Sequence, residues 1–122
     1  MKSFIAVVLT AALLAAIPAA AHEAIGPNGG RVVDAGNYHV ELVVGAGQVN
    51  VFITDGDDKP LATAGLKGTA ILLASGKALR IPLAPGSTPA LAGKTDVNLP
   101  ADVKGVVQIT GPDGKTVQGQ YK

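Results

Sequence analysis

The chain has 122 residues, 10 Lys+Arg against 9 Asp+Glu, two histidines and no cysteine. Without cysteine it has no thiol nucleophile and no thiolate metal site, and packing and hydrogen bonds alone must stabilise it. Near-balanced charge leaves no basic field for nucleic acid or anionic lipid, and aromatics at 3% are too few for a base- or sugar-stacking platform.

Met1-Lys2-Ser3 opens the chain, followed by an uncharged apolar run from Phe4 to Ile17 and then Pro18-Ala19-Ala20-Ala21. The run is shorter than the ~20 residues a membrane helix needs, and it ends in a box of small residues. Residues 1–21 therefore read as a cleaved secretory signal peptide. Cutting after Ala21 sets Ala19 and Ala21 at the two positions that must be small, so the mature chain is expected to start at His22, in the periplasm, with no membrane span. Only one methionine is present, at position 1, which removes the thioether ligands that suit monovalent copper.

Residues 22–29 read as a flexible N-terminal segment. Gly26-Pro27-Asn28-Gly29-Gly30 lacks the Gly-Lys-Ser/Thr ending of a phosphate loop and is expected to be a turn leading into the first strand. From there 16 glycines and 8 prolines cut the chain into short pieces, most of them after residue 21. Between the cuts Val, Ile, Leu and Thr alternate with period two. Strands are expected at 30–34, 37–44, 49–53, 69–74, 78–83, 92–99, 105–110 and 116–121. In the second, Tyr38, Val40, Leu42 and Val44 should face the core, with His39, Glu41 and Val43 facing water. Pro82 argues that its strand lies at a sheet edge, because proline cannot donate to a ladder. The pattern predicts an all-β domain over 30–122, a small Greek-key-like β-sandwich of about seven strands; a small open β-barrel is the alternative.

His22, His39 and Glu41 are the candidate metal ligands. A chain beginning at His22 offers its α-amine and ring Nδ1 as a chelate, His39 supplies a second imidazole, and Glu41, on the face of His39, an oxygen ligand or an acceptor that orients that ring. This nitrogen and oxygen set suits Cu(II) or Zn(II). Joint use of both histidines requires residues 23–29 to fold back toward the strand of His39. A histidine alternating with a glutamate is also what an ordinary solvated strand face presents. Asp55-Gly56-Asp57-Asp58 lacks the ligand alternation and terminal glutamate of an EF-hand and reads as a turn. Ser75 and Ser87 sit in no nucleophile motif, and two histidines give little material for acid-base chemistry, so no enzyme is expected.

The run Gly29-Gly30-Arg31-Val32-Val33-Asp34-Ala35-Gly36-Asn37-Tyr38-His39-Val40-Glu41-Leu42-Val43-Val44, with the Asp-rich turn from Asp55 ending in Lys59-Pro60, resembles a segment of exported heavy-metal-resistance proteins. It is found in the periplasmic adaptor (membrane-fusion) subunits of metal efflux pumps and in small stand-alone exported proteins. The resemblance covers residues 26–61 well and the later strands loosely. It implies a periplasmic β-module linked with copper, zinc or cobalt handling. Where that pattern often carries a histidine before the Gly-Gly pair, this chain has Asn28, which leaves His22 and His39 as its imidazoles. The expected function is therefore binding or buffering of a transition metal, copper before zinc, beside an efflux-pump component or other periplasmic protein. The alternative is a non-catalytic interaction module that docks a partner on an exposed edge strand, with no metal.

Overall fold

A computed structural model of the chain describes residues 24–87 and 89–122; the segment read as a signal peptide and the candidate ligand His22 lie outside them. The fold is all-β, and the described residues contain no helix. Nine strands follow one another: β1 (Ala24–Ile25), β2 (Arg31–Ala35), β3 (Tyr38–Gly45), β4 (Gln48–Thr54), β5 (Lys67–Ala74), β6 (Lys77–Pro85), β7 (Ala90–Lys94), β8 (Lys104–Thr110) and β9 (Thr116–Tyr121). All pair antiparallel in one sheet of order β1-β2-β3-β4-β7-β6-β5-β8-β9. The sheet curls into a half-barrel, and its far strand β9 comes to rest against β2.

Alternation in the sequence becomes the two faces of this sheet. Val40 and Leu42 of β3 and Val49, Val51 and Ile53 of β4 point inward and are buried. They meet Ala70, Leu72, Ile81, Leu83, Val107 and Ile109 from the other half in one continuous core. Polar turns set the hairpins. Ala46-Gly47 joins β3 to β4 with Gly45 opposite Gln48, and Gly111 to Lys115 closes the β8–β9 hairpin through the Gly111 N–H to Lys115 carbonyl bond of 2.9 Å.

The strand that holds Pro82 is not the outermost of the sheet, although Pro82 itself is paired on one side only. Strand β6 lies between β5 and β7, and it pairs with β7 through Ala84 and Pro85, past Pro82. The stretch that holds Pro82 pairs with β5 alone, Pro82 standing opposite Thr69, so a proline there interrupts no ladder to β7.

The two ends of the sheet meet closely. A Cβ on Gly119 of β9 would stand 2.8 Å from the Val33 side chain of β2, so only a residue without one lets the strands approach this far. Beside it Tyr121 is buried, and its hydroxyl donates to the Val40 carbonyl of β3 at 2.7 Å. The Arg31 guanidinium lies over the Tyr121 ring, 5.3 Å from its centroid, and donates to the Val103 carbonyl.

Candidate functional site

The register fixes which side chains share the outer face of β1 to β4. Ala24, Val32, Glu41, Phe52 and Ala90 stand in one cross-strand row, and Asp34, His39 and Thr54 stand in the next. All of these but Ala90, together with Gly26, Pro27 and Asn28 of the N-terminal turn and Pro60, line a groove of about 810 Å³. Its walls are apolar at Ile25, Val32 and Phe52, and ionisable groups gather at its His39 end.

Glu41 is the sequence candidate whose environment differs most from expectation. It was expected to face water beside His39; it does lie on that face, but it is 3% exposed because the N-terminal turn folds over it. One carboxylate oxygen accepts the Asn28 N–H at 2.9 Å and the Gly30 N–H at 2.8 Å, and the other accepts the Asn28 side-chain amide at 3.0 Å. Three donors thus replace the water the carboxylate gives up.

The turn is built for this contact. Gly29 donates to the Gly26 carbonyl at 3.0 Å and Gly26 to the Gly30 carbonyl at 2.8 Å, with Gly29 in the left-handed region at φ +79°. A Cβ on Gly26 would overlap the Glu41 carboxylate, and one on Gly30 would overlap the Leu42 carbonyl. The glycine-rich stretch is therefore a clasp on β3, and it reverses the chain so that β1 pairs with β2 through Ala24–Val32 and Ile25–Arg31. From Ala24 onward the chain does fold back toward the strand of His39.

His39 has partners the sequence reading did not name. Its Nδ1 lies 2.7 Å from the Asp58 carboxylate and its Nε2 3.4 Å from that of Asp34, with the imidazole one-third exposed and both carboxylates 82% exposed. Asp34 could have been found by counting: the two-residue connection Gly36-Asn37 makes Ala35 pair with Tyr38 and so sets Asp34 opposite His39. Asp58 could not, because it depends on the path of the following loop.

That loop is shaped by Asp55, one of whose oxygens accepts the Asp57 N–H at 2.8 Å and the Lys59 N–H at 3.0 Å. These two backbone bonds, that from Lys59 first, hold the Asp55 carboxyl below its ordinary value of 3.8. Asp58 takes a left-handed conformation at φ 61° and so turns its carboxylate to His39. The acidic run Asp55 to Asp58 therefore makes a turn, as expected, and also orients an imidazole.

Among the described residues no group of three or more His, Asp or Glu side chains is arranged to hold a metal ion. His39 and Asp34 provide two donor atoms, and Glu41 is engaged by the clasp. No described helix is long and apolar enough to cross a membrane. Compared with protein-family models, curated proteins and solved structures, the chain matches none. What the fold and site define is an all-β half-barrel with a histidine held between two carboxylates at one end of an outer groove.

Proposed function

We propose that this protein is exported to the periplasm, where it binds a divalent transition metal ion, Cu(II) or Zn(II), at the His39 end of the groove and buffers it beside an efflux system. On this reading residues 1–21 are the cleaved leader and the curled sheet works as a small two-layer sandwich. The metal takes Nε2 of His39 and a carboxylate oxygen of Asp34, and the α-amine and ring of His22 complete the set. Asp58 accepts the Nδ1–H, fixing the tautomer that leaves Nε2 free to ligate. Glu41, first considered a ligand, acts here by holding the clasp that brings the N-terminal segment to the site.

The observation that carries the proposal is the spacing at His39. Two ligands bonded at ~2.0–2.1 Å at the corners of a tetrahedron lie ~3.3 Å apart, and the Nε2 to Asp34 oxygen distance is 3.4 Å. Further support comes from Ala24, which lines the same groove as His39 and pairs with Val32. Edge-strand docking finds less support, since β1 spans two residues and β9 lies against β2.

Calorimetric titration with Zn(II) and with Cu(II), on material whose first residue is established by intact mass, tests the proposal. One tight site is expected, weakened at least tenfold by His39→Ala, Asp34→Asn or His22→Ala and weakened as pH falls through the imidazole range. Absence of a tight site, or one indifferent to His39→Ala, overturns it.

A further inference from the structure

The groove over β1 to β4 adjoins, along Gln120 and Lys122 of the β9 end, a second outer surface of different charge. Strands β5, β6, β8 and β9 contain Lys67, Lys77, Arg80 and Lys104 but no aspartate or glutamate. Arg80 and Lys104 form no ion pair among the described residues and flank an apolar centre: Ile71 lies opposite Arg80 on one side and Val106 on the other, and Leu73 opposite Lys104. Leu73, near the tip of the β5–β6 hairpin, is 53% exposed. The groove carries the complementary pattern, with the carboxylates of Asp34 and Asp58 beside apolar Phe52 and an Ile25 that is 73% exposed, and with Lys122 as the one lysine or arginine in its lining. One face is thus a cationic hairpin with an apolar tip, and the other an acidic concavity with an apolar wall.

We propose that a second copy of this chain docks its β5–β6 hairpin, Leu73 foremost, into the groove beside His39. Opposite charges then meet around a buried apolar contact, the arrangement that steers and selects partners. The contact is head-to-tail, so each bound pair leaves one groove and one hairpin open, and assembly continues into short chains or a ring. A hairpin tip in a groove is small as interfaces go, which makes the association weak and salt-sensitive. This inference does not depend on metal binding.

Sedimentation equilibrium of the purified chain tests it. The weight-average mass should rise above that of one chain between about 10 µM and about 1 mM in about 20 mM salt, and return to it in about 0.5 M salt, where the Debye length is only a few Å. Arg80→Gln/Lys104→Gln, which leaves the flanks of the apolar centre neutral, and Ile25→Lys/Asp58→Lys should each stay monomeric alone. Mixed, they should form one-to-one pairs that grow no further, because each keeps the face the other lacks. A monomeric parent chain at about 1 mM in low salt overturns the proposal. So does a parent chain that stays monomeric while binding vesicles of phosphatidylglycerol and phosphatidylcholine through Arg80 and Lys104, which would assign the cationic face to a lipid surface. The salt dependence is read on the unaltered chain, so poor folding of a variant leaves the test standing.

Discussion

Glu41→Ala is expected to undo the clasp while sparing the barrel. The substitution removes the acceptor of three hydrogen bonds, of 2.9, 3.0 and 2.8 Å, and strands the Asn28 and Gly30 backbone donors. Bonds to a charged acceptor contribute ~1.5–3 kcal/mol each, but removing a buried carboxylate also relieves its desolvation, so the net loss is about 2–4 kcal/mol. That loss should stay local. Strand β1 is held to the sheet by two residue pairs, and once it lifts, the stranded amides reach water. Native-state hydrogen exchange should then show the Asn28 and Gly30 amides exchanging about 30- to 1000-fold faster, at 1.4 kcal/mol per tenfold, with the Val51 and Val107 amides changed less than about tenfold. Equal acceleration in clasp and core, or none at Asn28 and Gly30, would refute the reasoning.

Three further outcomes test the same structure. Gly29→Ala should cost about 1 kcal/mol, since its φ of +79° disfavours a side chain while the space around it is open; Gly30→Ala, which drives a Cβ into the Leu42 carbonyl, should cost more than about 3 kcal/mol by chemical denaturation. Tyr121→Phe should lower stability by about 1–2 kcal/mol, because the buried Val40 carbonyl loses a donor at 2.7 Å. Asp55, its carboxyl held below 3.8 by the Lys59 and Asp57 amides, stabilises the fold above that value and ceases to do so as pH falls through its depressed one. The stability difference between the parent chain and Asp55→Ala, followed by urea denaturation, should therefore be full at neutral pH and shrink only below about pH 4.

Strand positions were legible wherever alternation ran for five residues or more. Segment 116–121 is β9 to the residue, and 37–44 is β3 shifted by one. What alternation cannot carry is a two-residue strand such as β1, whose Ala-Ile has no period and forms only because the clasp turns it back. Strand β7 falls at Ala90–Lys94, earlier than the expected 92–99, since Ala-Leu-Ala-Gly-Lys offers one large apolar side chain to mark its face. Strand order was out of reach for the same reason: the β4–β7 and β5–β8 pairings join segments far apart in sequence. At the site, period two correctly assigned His39 and Glu41 to one outer face but equated that face with water. It could not register that a glycine-rich turn would bury Glu41, or that Asp58, presented by a left-handed residue, would hold the His39 ring.

The hydrogen bond from Tyr121 to Val40 spans 81 residues of sequence, and it ties the order of folding to the far end of the chain. Strands β3 and β4 zip locally through a two-residue loop, but the floor beneath them stays open until the last strand arrives beside β2. Loop-closure entropy makes such a long-range contact slow to form. A folding chain therefore leaves the β9 side of its core uncovered until that strand arrives. Shortening the protein by its last two residues should consequently act on the closing step, leaving the β3–β4 hairpin able to form and the barrel unable to shut.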